Sequence, residues 1–217
     1  MKYKQSITST LVTLLLALTS EAGIIADGGF ESPVVPINSN QYNSIGGSWA
    51  FLSYSGIING NGAGFHAPPA QEGTQYAFLQ DYFGPSGTIS QSITLDATGT
   101  YSLSFLVAGR PDNGMGSGGN LSYEILLDTA LIGSDVTTTG QPFAERAFSF
   151  SASAGSHILT FQPSALQSGD NTAFFETVSI NTVPEPAPAS LYSIVIITIA
   201  VLFRRHNSKR QSTACNS

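Results

Sequence analysis

The chain has 217 residues, with 14 acidic and 8 basic side chains, a formal net charge of −6 and a single cysteine. Six of the basic residues lie near the two ends, so residues 23–182 retain only Arg110 and Arg146 beside twelve acids, a net charge of −10. This charge excludes nucleic-acid binding, which depends on neutralising phosphates with cations. Cys215 lies outside residues 23–182, which excludes disulfides and a thiol nucleophile there.

The first residues have the layout of a secretory signal peptide. Lys2 and Lys4 precede an apolar stretch at residues 7–18, and Ser20 and Ala22 supply the small residues that a cleavage site needs. We therefore expect a signal peptide over residues 1–22, forming an N-terminal signal helix, with cleavage after Ala22. The chain beyond Ala22 would be exported.

Residues 23–182 predict one domain made of strands throughout, long enough to bury a core without disulfides. The alternation of apolar and polar residues that marks a half-buried strand is clearest at residues 100–108. Similar stretches, separated by Gly and Asn turns, lie at residues 48–54, 74–80, 88–95, 121–128, 145–152, 157–162 and 173–181. Short strands at this spacing predict an all-β fold, an antiparallel jelly-roll β-sandwich.

Several segments of this domain occur in a characteristic order: residues 25–33 (IADGGFESP), 47–49 (GSW), 75–80 (QYAFLQ), 89–93 (ISQSI), 101–105 (YSLSF) and 169–180 (GDNTAFFETVSI). Together they resemble the galactose-binding-like jelly rolls of carbohydrate-binding modules and of the related DUF642 cell-wall proteins. The resemblance implies a structural Ca²⁺ held by an acid after the first strand and an acid in the last strand. The matching positions are Glu31 and Glu176, although the last-strand acid of the family is more often Asp.

The residues around Glu176 bear on the same question. Phe174, Glu176, Val178 and Ile180 alternate with their neighbours, so the pattern predicts that all four side chains point the same way. If that face is the core, the Glu176 carboxylate must be paired or coordinated. Its partner would be Ca²⁺, which prefers oxygen ligands, or one of the two domain arginines. A position near the strand end would instead let it reach water.

Sugar binding needs aromatic rings that stack on pyranose faces, with polar groups that read the hydroxyls. Four residues form the predicted ligand site: Phe65, His66, Tyr82 and Arg110. Other aromatic residues in loop-like context are Tyr42, Tyr54 and Phe83. Each of these rings could equally pack in the core or at an edge. Trp49 follows Gly47-Ser48 at a strand start and is predicted to anchor the core.

The sequence offers little material for catalysis. The glycine-rich segment 112–120 lacks the Gly-Lys-Ser/Thr of a phosphate loop and is interpreted as a rim loop. His157 lies in a predicted strand and is expected to be structural. A glycosidase would need two facing carboxylates, and Glu72, Asp81, Glu124 and Glu145 are the available acids. We therefore expect a protein that is not an enzyme.

The C-terminal region begins with Val183-Pro184-Glu185-Pro186, continues with an uncharged apolar run at residues 187–203 and then reaches Arg204-Arg205. The apolar run would form a transmembrane helix of about 25 Å. The cations after it would stay cytoplasmic. This three-part order resembles the PEP-CTERM sorting signal, which implies recognition by an exosortase, a transpeptidase-like membrane enzyme. Residues 183–206 are assigned to this signal and residues 207–217 to a cytoplasmic tail that such signals usually lack.

Together these features predict an exported protein, anchored in the inner membrane and then carried to the cell surface or extracellular matrix. Its β-sandwich would bind carbohydrate, with the exopolysaccharide of the producing cell as the expected partner. The alternative is a structural matrix or surface protein with no specific small ligand. A glycoside hydrolase or lyase is a third hypothesis.

Overall fold

The computed structural model describes residues 23–60, 64–82, 87–112, 117–164 and 169–184, and all structural statements concern these residues. They contain twelve strands: β1 (Asn40–Tyr42), β2 (Ala50–Leu52), β3 (Ser55–Asn59), β4 (Gln75–Tyr82), β5 (Thr88–Leu95), β6 (Gly99–Gly109), β7 (Ser117–Gly119), β8 (Ser122–Leu127), β9 (Ala130–Val136), β10 (Ala144–Ala152), β11 (Gly155–Pro163) and β12 (Asp170–Thr182). The predicted signal and transmembrane helices fall outside the described residues.

The strands form two sheets. Sheet A has the order β1-β3-β4-β12-β6-β10, with β7 paired to β12, and sheet B has the order β2-β5-β11-β8-β9. Neighbouring strands are antiparallel except β7 and β12, which are parallel. The predicted antiparallel β-sandwich is therefore confirmed for the described residues.

The core fills the space between the sheets with side chains from alternate strand positions. On β6, Leu103, Phe105 and Val107 face inwards, and on β8 Tyr123 and Ile125 do so, all almost fully buried. Trp49 is also buried, as predicted, with its ring centroid 4.8 Å from that of Phe30 and its indole nitrogen donating to Asp27 O at 2.8 Å.

A β-bulge in β12 overturns one prediction about side-chain direction. The pairing of β12 with β6 shifts between Glu176 and Ser179, and Thr177 adopts a left-handed φ of 55°. Such a bulge inserts an extra residue and reverses the alternation beyond it. Phe174 and Glu176 therefore face away from sheet B, whereas Val178 and Ile180 lie in the core between the sheets. The expectation that all four side chains share one face is wrong.

Hydrogen bonds attach the segment before β1 to both sheets. Gln91 on sheet B exchanges two hydrogen bonds with the backbone of Ala26, at 3.0 and 2.8 Å. Val178 N donates to Gly28 O at 2.9 Å beside the bulge. The Asp27 carboxylate accepts the amides of Glu31 and Ser32, at 2.8 and 3.0 Å. This arrangement places Glu31 next to the segment that precedes β4.

Candidate functional site

The face of sheet A that points away from sheet B, called the outer face below, carries its own apolar cluster. Buried side chains from its central strands form it: Ile58, Tyr76, Phe78, Ala108 and Phe174. Residues 64–74, called the strap, cross this face and add Phe65 and Ala67 to the cluster, with Ala70 packed against it. Phe65 lies 5.2 Å from Phe78 between ring centroids. The outer face is therefore partly roofed by a loop.

Two carboxylates hold the strap at its end. Glu176 accepts the amides of Gln71, at 3.0 and 2.9 Å, and of Glu72, at 2.8 Å. Glu31 accepts the amides of Thr74 and Gln75, at 2.7 and 2.9 Å, and the Thr74 hydroxyl at 3.2 Å. Gly73 lies between them with a φ of 63°, and a Cβ there would stand 2.1 Å from Glu31 Oε1. The backbone amides at the end of the strap thus donate hydrogen bonds to two carboxylates.

Glu176 is fully buried, with 0% of its surface exposed. Burial raises the pKa of Glu176, the two backbone amides oppose that rise, and the nearby Glu72 and Glu31 carboxylates add to it. Neither Arg110 nor Arg146 is its partner, because Arg110 pairs with Asp170 and Arg146 with Asp135. The predicted alternative of an arginine pair is therefore wrong, and backbone amides, which the sequence does not reveal, take that role.

The donor set around Glu31 and Glu176 can be tested for its fit to the expected Ca²⁺. Within the described ranges no group of three or more His, Cys, Asp or Glu side chains is placed to hold a metal. The two carboxylates face hydrogen-bond donors, whereas Ca²⁺ requires several oxygen ligands converging on one point. In this arrangement the residues do not fit the ion, and calcium binding stays a prediction.

Two tyrosines line a cleft beside the strap, which we call the tyrosine cleft, and a third lies next to one of them. It has a volume of about 430 Å³ and is lined by Tyr42, Asn43, Ser53 and Tyr54. The Tyr54 ring lies 6.5 Å from Tyr42, edge to face, and 5.7 Å from Tyr82 between centroids. Tyr42 and Tyr82 are 39% and 42% exposed. These rings offer apolar faces that a ligand can reach.

A chain of hydrogen bonds, called the polar chain, runs beneath the tyrosines across four strands or strand ends. The Tyr42 hydroxyl donates to Gln80 Oε1 at 2.8 Å, and Gln80 Nε2 donates to Asp170 Oδ1. Arg110 Nη1 donates to Asp170 Oδ2 at 2.7 Å, and Arg110 Nη2 donates to Gly64 O at 3.3 Å. The polar chain therefore pairs its one cation with its one anion. Burial, together with Asp170, raises the pKa of Tyr42, which keeps its hydroxyl protonated as a donor.

Two buried polar atoms at the end of the polar chain have no hydrogen-bond partner within the described residues: Arg110 Nε and Thr172 Oγ1. The two residues are neighbours, since Arg110 N donates to Thr172 O at 3.1 Å. Thr172 also pairs with Gln80 across β12 and β4, which places it on the outer face. Buried polar groups normally have a hydrogen-bond partner, so Arg110 Nε and Thr172 Oγ1 are each available for one further hydrogen bond.

A second cleft, of about 530 Å³, lies at the other end of the strap. Its lining is uncharged and mixes small apolar residues with two asparagines and a threonine: Ile37, Asn38, Asn59, Gly60, Ala67, Pro69, Ala70, Gly73 and Thr74. Gly60 is required here, because its φ is 67° and a Cβ would stand 2.9 Å from Asn38 Oδ1.

The structure brings together three of the four residues predicted to bind a ligand. The guanidinium of Arg110 stacks over Phe65, 4.6 Å from the ring centroid, and the polar chain links Arg110 to Asp170, which pairs with Tyr82 across β12 and β4. Phe65 itself is only 5% exposed, since the strap folds it onto the outer face, so its ring supports the site from below. His66 lies exposed on the strap. Phe83 falls outside the described residues.

Gln80, Asp170 and Thr172 were not predicted as site residues. Gln80 and Asp170 are 90 positions apart, and only the pairing of β4 with β12 brings them together. The alternation of Tyr76, Phe78 and Gln80 along one strand was the one available signal that Gln80 shares a face with aromatic residues.

The acids considered for glycoside hydrolysis lie on separate elements. Glu72 is on the strap, Asp81 on β4, Glu124 on β8 of sheet B and Glu145 on β10 of sheet A. His157 is structural as expected, because its ring nitrogens bond Asp128 Oδ2 at 2.8 Å and Ser153 O at 2.9 Å.

Comparison with protein families gives a match to the model described as HpiC1-like, HpiC1 cyclase, over residues 21–178. The chain belongs to the HpiC1-like family. Comparison with curated proteins gives no significant match. The family match covers the whole β-sandwich up to the bulge of β12, and it includes the strap, the tyrosine cleft and the polar chain.

Solved structures similar to this HpiC1-like chain include carbohydrate-binding modules. TmCBM61, solved in complex with β-1,4-galactotriose, gives a TM-score of 0.50 at 14% identity and covers 75% of this chain and 100% of the module. The CBM22-1 xylan-binding domain of Paenibacillus barcinonensis Xyn10C gives 0.45 at 12% identity, with 75% and 100% covered. A family 35 module from Clostridium thermocellum gives 0.40 at 16% identity, with 62% and 92% covered. The likeness to TmCBM61 establishes a shared jelly-roll fold.

The predicted sorting motif lies at the limit of the described chain. Val183 N donates to Thr100 O at 2.9 Å directly after β12, and Pro184 follows it. Glu185, Pro186, Arg204, Arg205 and the apolar run 187–203 fall outside the described residues. Among the residues that are described, no helix has the length and apolar character needed to cross a membrane.

Proposed function

We propose that the domain binds a neutral polysaccharide at the tyrosine cleft and does not catalyse a reaction on it. The observation that carries the proposal is the exposed rings of Tyr42 and Tyr82, with Tyr54 between them, beside the polar chain. An aromatic face stacks on the C–H face of a pyranose, while the fixed polar groups at the edge of the cleft select and orient its hydroxyls.

The charge distribution supports a neutral ligand. The cleft is lined by uncharged side chains, and Arg110, the cation nearest to it, is paired with Asp170. A uronate or another anionic sugar would meet a domain with a net charge of −10 and no cation unpaired on this face among the described residues. The galactotriose bound to TmCBM61 is likewise a neutral sugar.

The family name raises the alternative of a cyclase. A carboxyl group that acts as an acid catalyst at the cleft would have to be free to exchange a proton with the ligand. Asp170, the carboxylate of the polar chain, has one oxygen bonded to Arg110 and the other to Gln80. We therefore favour binding, and product formation from a ligand held at this cleft would refute that choice.

We also propose that the domain is exported and anchored through residues 187–203, and that an exosortase processes the signal that begins at Val183. The direction of β12 supports an anchored arrangement. Asp170 begins the strand at the tyrosine end of sheet A, and the chain leaves after Thr182 at the opposite end. The thirteen residues of β12 span about 40 Å at the usual rise of a strand. An anchored domain would therefore hold the cleft away from the membrane.

One observation favours the second candidate, a structural matrix protein. Val34, Ile37 and Ile45 are large apolar side chains that are 82%, 79% and 85% exposed. Such a surface suits contacts with other macromolecules. A structural protein of this kind would not depend on the tyrosine cleft, so variants of the cleft separate the two functions.

The test is affinity electrophoresis of the intact chain in gels that contain neutral galactan, xylan or mannan. Retardation by at least one of them is expected, and Tyr54→Ala and Tyr82→Ala should each weaken it about tenfold through loss of stacking worth about 1.5 kcal/mol. The control Leu131→Ala removes a side chain that is 61% exposed on β9 of sheet B and should change nothing. Equal effects of all three variants, or no retardation by any polymer, would refute the proposal.

A further inference from the structure

The two clefts lie at the two ends of β1 and β3, the pair of strands at one side of sheet A. The tyrosine cleft is bordered by Tyr42 at the end of β1 and by Tyr54 just before β3. The second cleft is bordered by Asn38 before β1 and by Asn59 at the end of β3. Because β1 and β3 are antiparallel, with Asn40 opposite Ile58 and Tyr42 opposite Gly56, the strands connect one cleft to the other.

The length of this connection suits an extended ligand. β3 has five residues, Ser55–Asn59, and therefore spans about 17 Å between the clefts. β3 itself offers no accessible side chain along this path, because all five of its residues are buried and a Cβ at Gly56 would stand 1.9 Å from Gln41 O. Ile58 is fully buried beneath the strap. The accessible side chains along this path therefore come from β1 and the residues that flank it.

Those side chains form a row of amides. Asn40 shares the outer face with Tyr42, Asn38 lines the second cleft, and Asn43 lines the tyrosine cleft. Hydrogen bonds within the described residues leave the side-chain amides of all three asparagines uncommitted. Asn38 and Asn43 have left-handed φ values of 57° and 50°, which asparagine tolerates better than most residues. Each amide offers a donor and an acceptor to a hydroxyl group.

Among the described residues, neither cleft is lined by a charged side chain, although the domain carries a net charge of −10. The described lining of the second cleft also contains no aromatic ring, so it would contribute hydrogen bonds and apolar contacts without stacking. A neutral, hydroxyl-rich chain is the ligand class that suits both clefts and the amide row between them.

We infer that the second cleft is a distal subsite for the same neutral glycan chain, which therefore binds by its interior along β1. This inference rests on the proposed function and adds to it the direction and extent of the ligand. The tyrosines hold one part of the chain by stacking, and Asn40 and Asn38 read the hydroxyls of the part beyond it. A ligand held by its end alone would need only the tyrosine cleft.

Isothermal titration of the intact chain tests the inference, with β-1,4-linked galacto-, xylo- and manno-oligosaccharides from disaccharide to hexasaccharide as probes. The Kd of the series that binds is expected to fall with each added unit until the second cleft is reached. The combined variant Asn38→Gly and Asn40→Ala should weaken binding of the hexasaccharide about fivefold or more, since each lost hydrogen bond is worth about 1 kcal/mol. It should leave binding of the disaccharide unchanged.

The outcomes separate the inference from the function on which it rests. Tyr54→Ala should weaken the binding of oligosaccharides of every length. If it does so but the Kd of the parent protein does not depend on oligosaccharide length, the proposed function is retained and the distal subsite is overturned. A combined variant that weakens short and long oligosaccharides equally would also overturn it. Absence of binding by any oligosaccharide would overturn both. Glycine at position 38 keeps the left-handed backbone accessible, so the fold should survive this variant.

Discussion

Gln75 shows how one buried side chain can hold a long segment of irregular chain. Its Nε2 donates to Phe30 O and Pro33 O, at 3.0 and 3.1 Å, and its Oε1 accepts Val35 N at 2.5 Å. We predict that Gln75→Leu lowers the free energy of unfolding by about 2–4 kcal/mol, because three buried backbone groups lose their partner. Chemical denaturation would measure the change.

The matched control for Gln75 is Gln41→Leu on β1. Its side chain is exposed, so the same change should stay within about 0.5 kcal/mol of the parent. If the two variants were equally stable, the segment before β1 would not depend on Gln75.

His157 and Asp128 link the turn between β8 and β9 to β11. The hydrogen bond to Asp128 and then that to Ser153 O raise the pKa of His157, while the bond from His157 lowers the pKa of Asp128. The contribution of His157 is therefore present below its unfolded pKa and lost as pH rises through the folded value. That of Asp128 is present above its unfolded pKa and lost as pH falls. The two contributions together raise the free energy of unfolding most between about pH 4 and 6.5.

We predict that Asp128→Asn lowers the pKa of His157 towards about 6.5, as measured by NMR titration of the imidazole. The variant should also cost more stability near about pH 5.5 than near about pH 8, because the charged pair exists only at the lower value. A His157 pKa that does not move in the variant would contradict this account of the link.

At the residue scale the sequence predicted chemistry better than geometry. Tyr82 and Arg110 are predicted site residues because aromatic and polar residues in loops suit sugar binding, and both lie near the cleft. Phe65 meets the same criterion, but it is buried because the strap folds back onto the outer face. Nothing in the neighbouring sequence indicates that fold of the strap. Gln80 and Asp170 could not be selected, because their roles arise from strand pairing over long separations.

At the scale of elements, the bulge in β12 and the segment before β1 depend on each other. Gly28 approaches the bulge so closely that a Cβ would stand 2.1 Å from Val178 O. We predict that Gly28→Ala destabilises the fold by about 1–3 kcal/mol, because backbone must shift to admit the methyl group. Thermal unfolding would report it.

Gly29→Ala is the adjacent control for Gly28. A Cβ at Gly29 would meet only the Glu31 Cγ atom at 3.9 Å, an ordinary contact. This variant should unfold at nearly the same temperature as the parent. A larger loss at Gly29 than at Gly28 would contradict the described packing of this segment on the bulge.

The contacts between the strap and Glu176 indicate that this carboxylate stabilises the fold. We predict that Glu176→Ala lowers stability by about 2 kcal/mol or more, because the Gln71 and Glu72 amides lose their buried acceptor. If amides are the only partners, the loss should be the same with Ca²⁺ and with EDTA. A melting temperature that rises with Ca²⁺ in the parent, but not in Glu176→Ala, would instead support the calcium site expected from the sequence.

Elements were predictable where one face is buried and unpredictable where no alternation exists. β5 and β6 follow the expected ranges closely, since apolar residues alternate along them. β3 is buried on both faces and contains Gly56, while β1 and β7 are short and rich in Asn or Gly. β7 also lies within the segment that was interpreted as a rim loop. Thr177 gives no sign of a bulge, because threonine is a common strand residue.

At the scale of the whole molecule, the two faces of sheet A have different roles. The inner face packs against sheet B and stabilises the fold, while the outer face carries the strap, the polar chain and both clefts. The family match covers this entire arrangement. The fold could be predicted from strand spacing, whereas the location of the site depends on which part of the outer face the strap leaves open.

Hydrogen exchange of the intact chain, with and without a saturating neutral oligosaccharide, tests the central claim most directly. The account predicts slower exchange in residues 37–43, 53–59 and 64–74, which border the two clefts, and unchanged exchange in β8 and β9 of sheet B. Slower exchange confined to sheet B, or no change anywhere at saturation, would contradict binding at the outer face.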